Sequence, residues 1–169
     1  MRALGGDVGA IVEAVGRGRC VLCLGGELTA DGSLRRLIGN LLYTLPDSGE
    51  ARALLENRPL MAADYVRRRL GDGFAAALAR ITAGKAIPEP LALLGALPFA
   101  AVVTTSYDAA VEQAFGRNGA PAPVVTPRDP VPRAGRFVFK LLGDPSRPET
   151  VVWGAADLQE ALSAGGYRG

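Results

Sequence analysis

At 169 residues the chain has the length of one domain with a proper core. Its 49% hydrophobic and 21% charged content fits a globular protein and excludes a disordered or fibrous one. The net charge of +2 is too small and too dispersed for a nucleic-acid surface, and the longest apolar run, 91–103, is broken by Gly95 and Pro98 and falls short of the roughly 18 residues of a membrane span.

The pattern predicts a short amphipathic helix over 7–16, with Asp7 as its cap. Asp7 and Glu13 sit inside what would have to be the apolar part of a secretory leader, so a cytoplasmic protein is expected. Residues 19–29 (RCVLCLGGELT) read as a strand running into a glycine turn, and 33–45 as a helix starting at Ser33. Helices are predicted over 50–57, 60–70, 73–82 and 90–97, with breaks at Arg58-Pro59, Gly71-Asp72-Gly73, Gly84 and Pro88-Glu89-Pro90. The densest basic run, Arg67-Arg68-Arg69, reads as a solvated helix end.

Residues 98–108 (PFAAVVTTSYD) read as an apolar strand with a polar end, followed by a helix over 108–115 capped by Asp108. The proline-rich 119–133 is irregular, with room for a short strand at Val124-Val125. A strand over 136–141, a turn at Gly143-Asp144-Pro145, a strand over 150–153 and a helix over 155–163 complete the chain.

Cys20 and Cys23 form a C-x-x-C, but both fall in what reads as one buried strand. Positions three apart on a strand point to opposite faces, which neither chelates a metal nor closes an unstrained disulfide. With no histidine and no second cysteine pair, no metal site is expected, and the two read as small buried hydrophobes.

This order of elements predicts an α/β fold with a Rossmann-like, mostly parallel sheet, flanking helices and a helical insertion at about residues 47–97, all in a single domain spanning 1–169. Parallel sheets bind ligands at the carboxyl ends of their strands. The polar strand ends are Gly25-Gly26-Glu27-Leu28-Thr29 and Thr104-Thr105-Ser106-Tyr107-Asp108, and they are expected to face one crevice.

Four segments in order resemble the SIR2-like (sirtuin-like) family, bacterial type. Residues 22-LCLGGELT-29 resemble its phosphate loop, and 60-LMAADYVRRRLG-71 a helix of its bacterial members. Residues 97-LPFAAVVTTSYDAAVEQAF-115 resemble its strand-Thr-Thr-Asn-Tyr-Asp-helix signature, and 136-RFVFKLLGDPSRPETVVW-153 its Lys-Leu-His-Gly-Asp segment. The resemblance implies NAD or ADP-ribose as the ligand class, with Gly25, Gly26, Glu27, Thr29, Thr104, Thr105 and Asp108 as the residues that would line it; the residues themselves make no cofactor certain.

The departures fall on the family's functional positions. Glu27 stands for a loop glycine, where a Cβ and a carboxylate oppose close approach of phosphate. Ser106 stands for the family's Asn, and Leu142 for its catalytic His in a chain with no histidine at all. Asp108 is retained, and a helix cap accounts for it without a ligand. Lys140 is expected to reach solvent at a strand end and Asp144 to form a turn.

The reading is a catalytically degenerate module, a pseudoenzyme acting through protein–protein interaction with residual nucleotide binding. Its alternative is an NAD-hydrolysing SIR2-like enzyme of the defence type with a remodelled site. Relative to the family the C-terminus reads as shortened, so a homo-oligomeric contact or a protein partner is expected to cover the sheet, with the outer face of the last helix and the Trp153 strand as candidate surfaces.

Overall fold

The computed structural model describes residues 8–29, 33–116 and 119–163. Asp7, the expected cap of the first helix, lies outside them. Four strands form one sheet in the order β1-β2-β4-β3: β1 (Val21–Leu24), β2 (Ala101–Thr104), β3 (Val124–Val125) and β4 (Phe137–Lys140). Every pairing is parallel, and Val21, Ala101 and Phe137 lie side by side across the three longer strands. The expected α/β, parallel-sheet architecture is observed.

The described residues also form eight α-helices: α1 (Val8–Gly16), α2 (Leu34–Tyr43), α3 (Gly49–Asn57), α4 (Pro59–Leu70), α5 (Phe74–Thr82), α6 (Glu89–Gly95), α7 (Ala110–Phe115) and α8 (Ala155–Ser163). Ser33 caps α2 by accepting from the Arg36 amide, and prolines open α4 and α6 where no intrahelical donor is needed. None of these helices is long and apolar enough to cross a membrane.

There are two cores. One lies between α2 and the helices of the insertion, where Leu37, Ile38, Leu41, Ala63, Val66 and Leu78 pack with Tyr107 and Trp153 from the strand-end loops. The other lies under one face of the sheet, where Leu24, Val102 and Val138 meet Leu91 of α6 and Val111 and Phe115 of α7. Gly95 allows that contact, because a Cβ there would sit 2.1 Å from the Ala114 carbonyl oxygen.

Several expectations are corrected. Residues 150–153 are not a strand: a 3₁₀ turn, Pro148–Thr150, leads into an extended segment held by the Val152 amide donating to the Leu142 carbonyl. Trp153 is 1% exposed, with its indole N–H on the Ala63 carbonyl, so it is core and not a surface for partners. Arg67 is not a freely solvated helix end, since its guanidinium pairs with Asp157 and stacks over the Phe74 ring.

Of the two cysteines, Cys20 lies just ahead of β1 and is half-buried against the second core, but Cys23 is exposed: β1 is the sheet's edge, and Val21 beside it is 54% exposed, both cysteines being free thiols. The cause is tertiary: the face of the sheet that Val21 and Cys23 share belongs to neither core.

Candidate functional site

The two polar strand ends do come together. The Gly26 amide donates to Thr105 Oγ1 at 3.1 Å, and the Thr105 amide donates to the Leu24 carbonyl at 3.2 Å, so the turn after β1 is tied to the segment after β2. The turn itself is a single 3₁₀ turn, Gly26–Leu28, with Glu27 exposed in it.

Beneath it runs a chain of hydroxyls. Thr29 Oγ1 donates to the Gly26 carbonyl at 3.1 Å and lies 3.3 Å from Ser106 Oγ. Ser106 Oγ donates to Asp108 Oδ1 at 3.1 Å, and the Ser106 amide to Thr104 Oγ1 at 3.0 Å. Thr29, Thr104, Ser106 and Asp108 are each at most 2% exposed. Asp108 Oδ1 also accepts from the Ala110 amide at 3.0 Å, at the start of α7. The capping role expected of Asp108 is therefore present, two residues ahead of the helix. Its other oxygen, Oδ2, is buried without a hydrogen-bond partner among the described residues.

Lys140 is where sequence reading erred most. It does not reach solvent; it is 1% exposed. Its ammonium donates to Glu112 Oε1 at 2.9 Å, to the Asp108 carbonyl at 2.9 Å and to the Tyr107 carbonyl at 3.3 Å, which uses all three of its protons. Asp144 Oδ2 stands 3.8 Å away. Burial pushes the Glu112 carboxyl above its ordinary value, against the pull of the Lys140 charge. Lys140 thus fastens β4 to α7 and to the loop that carries Ser106 and Asp108. No sequence signal marked Glu112, since its partner lies 28 positions away on another element.

Asp144 forms the expected turn, its Oδ1 accepting from the Ser146 amide and hydroxyl at 2.8 Å each. Leu142, where the resemblance leads one to expect a His, is half-buried and packs on the first core. Gly143 follows it with φ +81°, and its alpha carbon faces the Thr150 carbonyl.

As arranged, these donors do not fit a dinucleotide pyrophosphate. The Gly26 amide is held by Thr105, the Thr29 hydroxyl by the Gly26 carbonyl and the Ser106 hydroxyl by the Asp108 carboxylate, and Glu27 adds a second negative charge in the turn. Gly25 keeps the openness a phosphate loop needs, since a Cβ there would meet nothing within 4 Å.

Four parallel strands, the first three joined through helices, with polar strand ends gathered at one crevice, define a Rossmann-like α/β domain. Residues 100–168 match the model of the SIR2-like domain family, a stretch that includes Ser106, Asp108, Lys140 and Leu142 and leaves out the turn at 25–29. No curated protein matches the chain at a significant level.

Proposed function

We propose that this is a catalytically degenerate SIR2-like module that acts through protein–protein interaction. The observation that carries the reading is that the crevice's polar groups are taken up inside the protein, the Gly26 amide by Thr105, the Thr29 hydroxyl by the Gly26 carbonyl and the Ser106 hydroxyl by Asp108, in a chain that has no histidine. A neutral-pH proton acceptor is missing, and the side chain at its position, Leu142, serves packing. Binding of NAD or ADP-ribose is residual in this reading and requires Thr105 to release the Gly26 amide. A cytoplasmic setting goes with it, supported by the two free thiols.

The unpartnered Asp108 Oδ2 favours one alternative, an NAD-hydrolysing enzyme in which that carboxylate faces the substrate. The deciding experiment is calorimetric titration of NAD into the protein with assay of the recovered mixture for free nicotinamide. The degenerate reading expects no nicotinamide above the protein-free control. Release of nicotinamide that disappears in Asp108→Asn, a change that leaves an oxygen to cap α7, overturns it.

A further inference from the structure

All-parallel sheets are ordinarily covered by helices on both faces. Here the strands alternate between a buried and a partly open side: Leu24, Val102 and Val138 are at most 7% exposed, whereas on the other side Val21 and Cys23 are exposed and Val103, Phe137 and Phe139 half-buried, the small Ala101 at its centre and Val125 at its far edge being covered. Register places Val21, Cys23, Val103, Phe137 and Phe139 on one face, in the rows Val21–Ala101–Phe137 and Cys23–Val103–Phe139. None of these residues joins either core. The face is apolar throughout, and β1 leaves its edge open beside it.

Size restricts what can cover it. Strands about 4.8 Å apart and four residues long make a face of about 15–19 Å by ~13 Å. That is roughly 250 Å², far below the ~800 Å² per partner of a standard interface, so two such faces stacked on each other would hold weakly. One helix about 10 Å across and two to three turns, about 11–16 Å, long fits within it. At the amino ends of the strands the same row, Val21, Ala101 and Phe137, runs into a groove of about 650 Å³ whose walls carry Arg17, Arg133 and Arg136 and no carboxylate. Arg136 is engaged by the Gly95 and Leu97 carbonyls and Arg17 by Glu13, which leaves the exposed Arg133, with Arg19 nearby on the approach to β1, as the charge offered to a visitor.

We propose that this sheet face is the docking surface, and that its occupant is an amphipathic helix of a partner protein, apolar toward Val21, Val103 and Phe139 and acidic toward Arg133. The inference rests on the interaction-module reading and gives it a surface and a partner chemistry. The mode is a helix laid by its apolar stripe on a hydrophobic face, with charge setting its direction.

The test uses labelled peptides and fluorescence anisotropy with the whole chain. One peptide has leucines on one helical face and glutamates on the other; a second replaces the glutamates by lysines; a third scrambles the first. The glutamate peptide is expected to bind best and to weaken with added salt. Val21→Asp, at an already exposed position, is expected to weaken it about tenfold or more. Arg133→Glu, in an exposed loop, is expected to erase the preference for glutamate over lysine, and it carries the test if Val21→Asp does not fold.

Equal binding of all three peptides, or none, overturns the proposal. So does a chain that sediments as a dimer dissociated by Val21→Asp, which would assign the face to a second copy. Nicotinamide release is measured separately, so failure of the docking surface and failure of the non-catalytic reading are distinguishable.

Discussion

The Lys140 ammonium lies 2.9 Å from Glu112 Oε1 in the interior, with side-chain exposures of 1% and 6%. Removing one member of such a pair leaves the other charge buried and uncompensated, at a cost of about 3–5 kcal/mol, whereas replacing both by apolar groups of similar size is often neutral or stabilising. Lys140→Met alone is therefore expected to be severely destabilising, and Lys140→Met with Glu112→Leu to recover most of the loss. Chemical denaturation of the two variants checks this; equal losses in both would mean that the carbonyl contacts of Lys140, and not the ion pair, dominate.

Glu112 also sets a pH dependence. Its carboxyl titrates above the ordinary value of 4.5 in the folded protein, chiefly because it is buried. The folded state then binds a proton more tightly than the unfolded one, so this group's contribution is fully present below 4.5 and is lost as pH rises through the folded value. Glu112→Gln is expected to flatten that part of the stability profile. The measurement is the denaturation midpoint across pH 4–8, for parent and variant in the same buffers.

Asp129 has the opposite sign. Arg147 donates to both of its oxygens, at 2.9 and 2.7 Å, and this holds the Asp129 carboxyl well below its ordinary value of 3.8. The stabilisation is present above 3.8 and is lost as pH falls through the folded value. The pair is about one-third exposed, so solvent screening limits it to about 1 kcal/mol. Asp129→Asn is expected to lower the melting temperature at pH 6 by a few degrees and by less at pH 2.5, inside the range over which the stabilisation is being lost, as thermal melts at the two pH values will show.

Much of the architecture was legible because it is written locally. Ser33 ahead of an apolar-periodic run gave α2, Pro59 and Pro90 gave helix starts, and the β-branched pair Val124-Val125 gave the short β3. The meeting of the Gly25–Thr29 and Thr104–Asp108 segments followed from the parallel order of their strands. What escaped was long-range. The β-branched Val151-Val152 has the composition of a strand, yet the Val152 carbonyl is taken by the Tyr107 hydroxyl at 2.5 Å and its amide by Leu142, so the segment lines the helical core outside the sheet. The exposure of Cys23 depends on a helix layer absent from one face among the described residues, and nothing within β1 records it.

Trp153 is the chain's one tryptophan, and it sits where the helical insertion meets the strand-end loops. Its ring lies edge-on to Phe74 and Tyr107, with centroids 5.2 and 5.6 Å away. Trp153→Ala is expected to cost about 3–5 kcal/mol. Tyr107→Phe, which leaves the partly buried Val152 carbonyl without its donor, is expected to cost about 1 kcal/mol. Guanidinium unfolding followed by circular dichroism measures both; in Tyr107→Phe the intrinsic fluorescence of Trp153 gives a second probe, and its transition should coincide with the first if the two cores unfold together.

Two glycines that resemble family motif positions should separate scaffold from site. Gly143 has φ +81°, and a Cβ on it would sit 2.1 Å from the Thr150 carbonyl oxygen, so Gly143→Ala forces backbone to move and is expected to cost more than about 2 kcal/mol. Gly25 has φ −76° and open space where a Cβ would go, so Gly25→Ala is expected to change stability by less than about 0.5 kcal/mol. Openness at Gly25 thus serves no packing need, and its only use would be the approach of a ligand to the backbone. Titrating NAD into Gly25→Ala isolates that use: heats that match the parent mean that the turn after β1 no longer takes part in binding, and heats present in the parent but lost in the variant mean that residual nucleotide contact persists there.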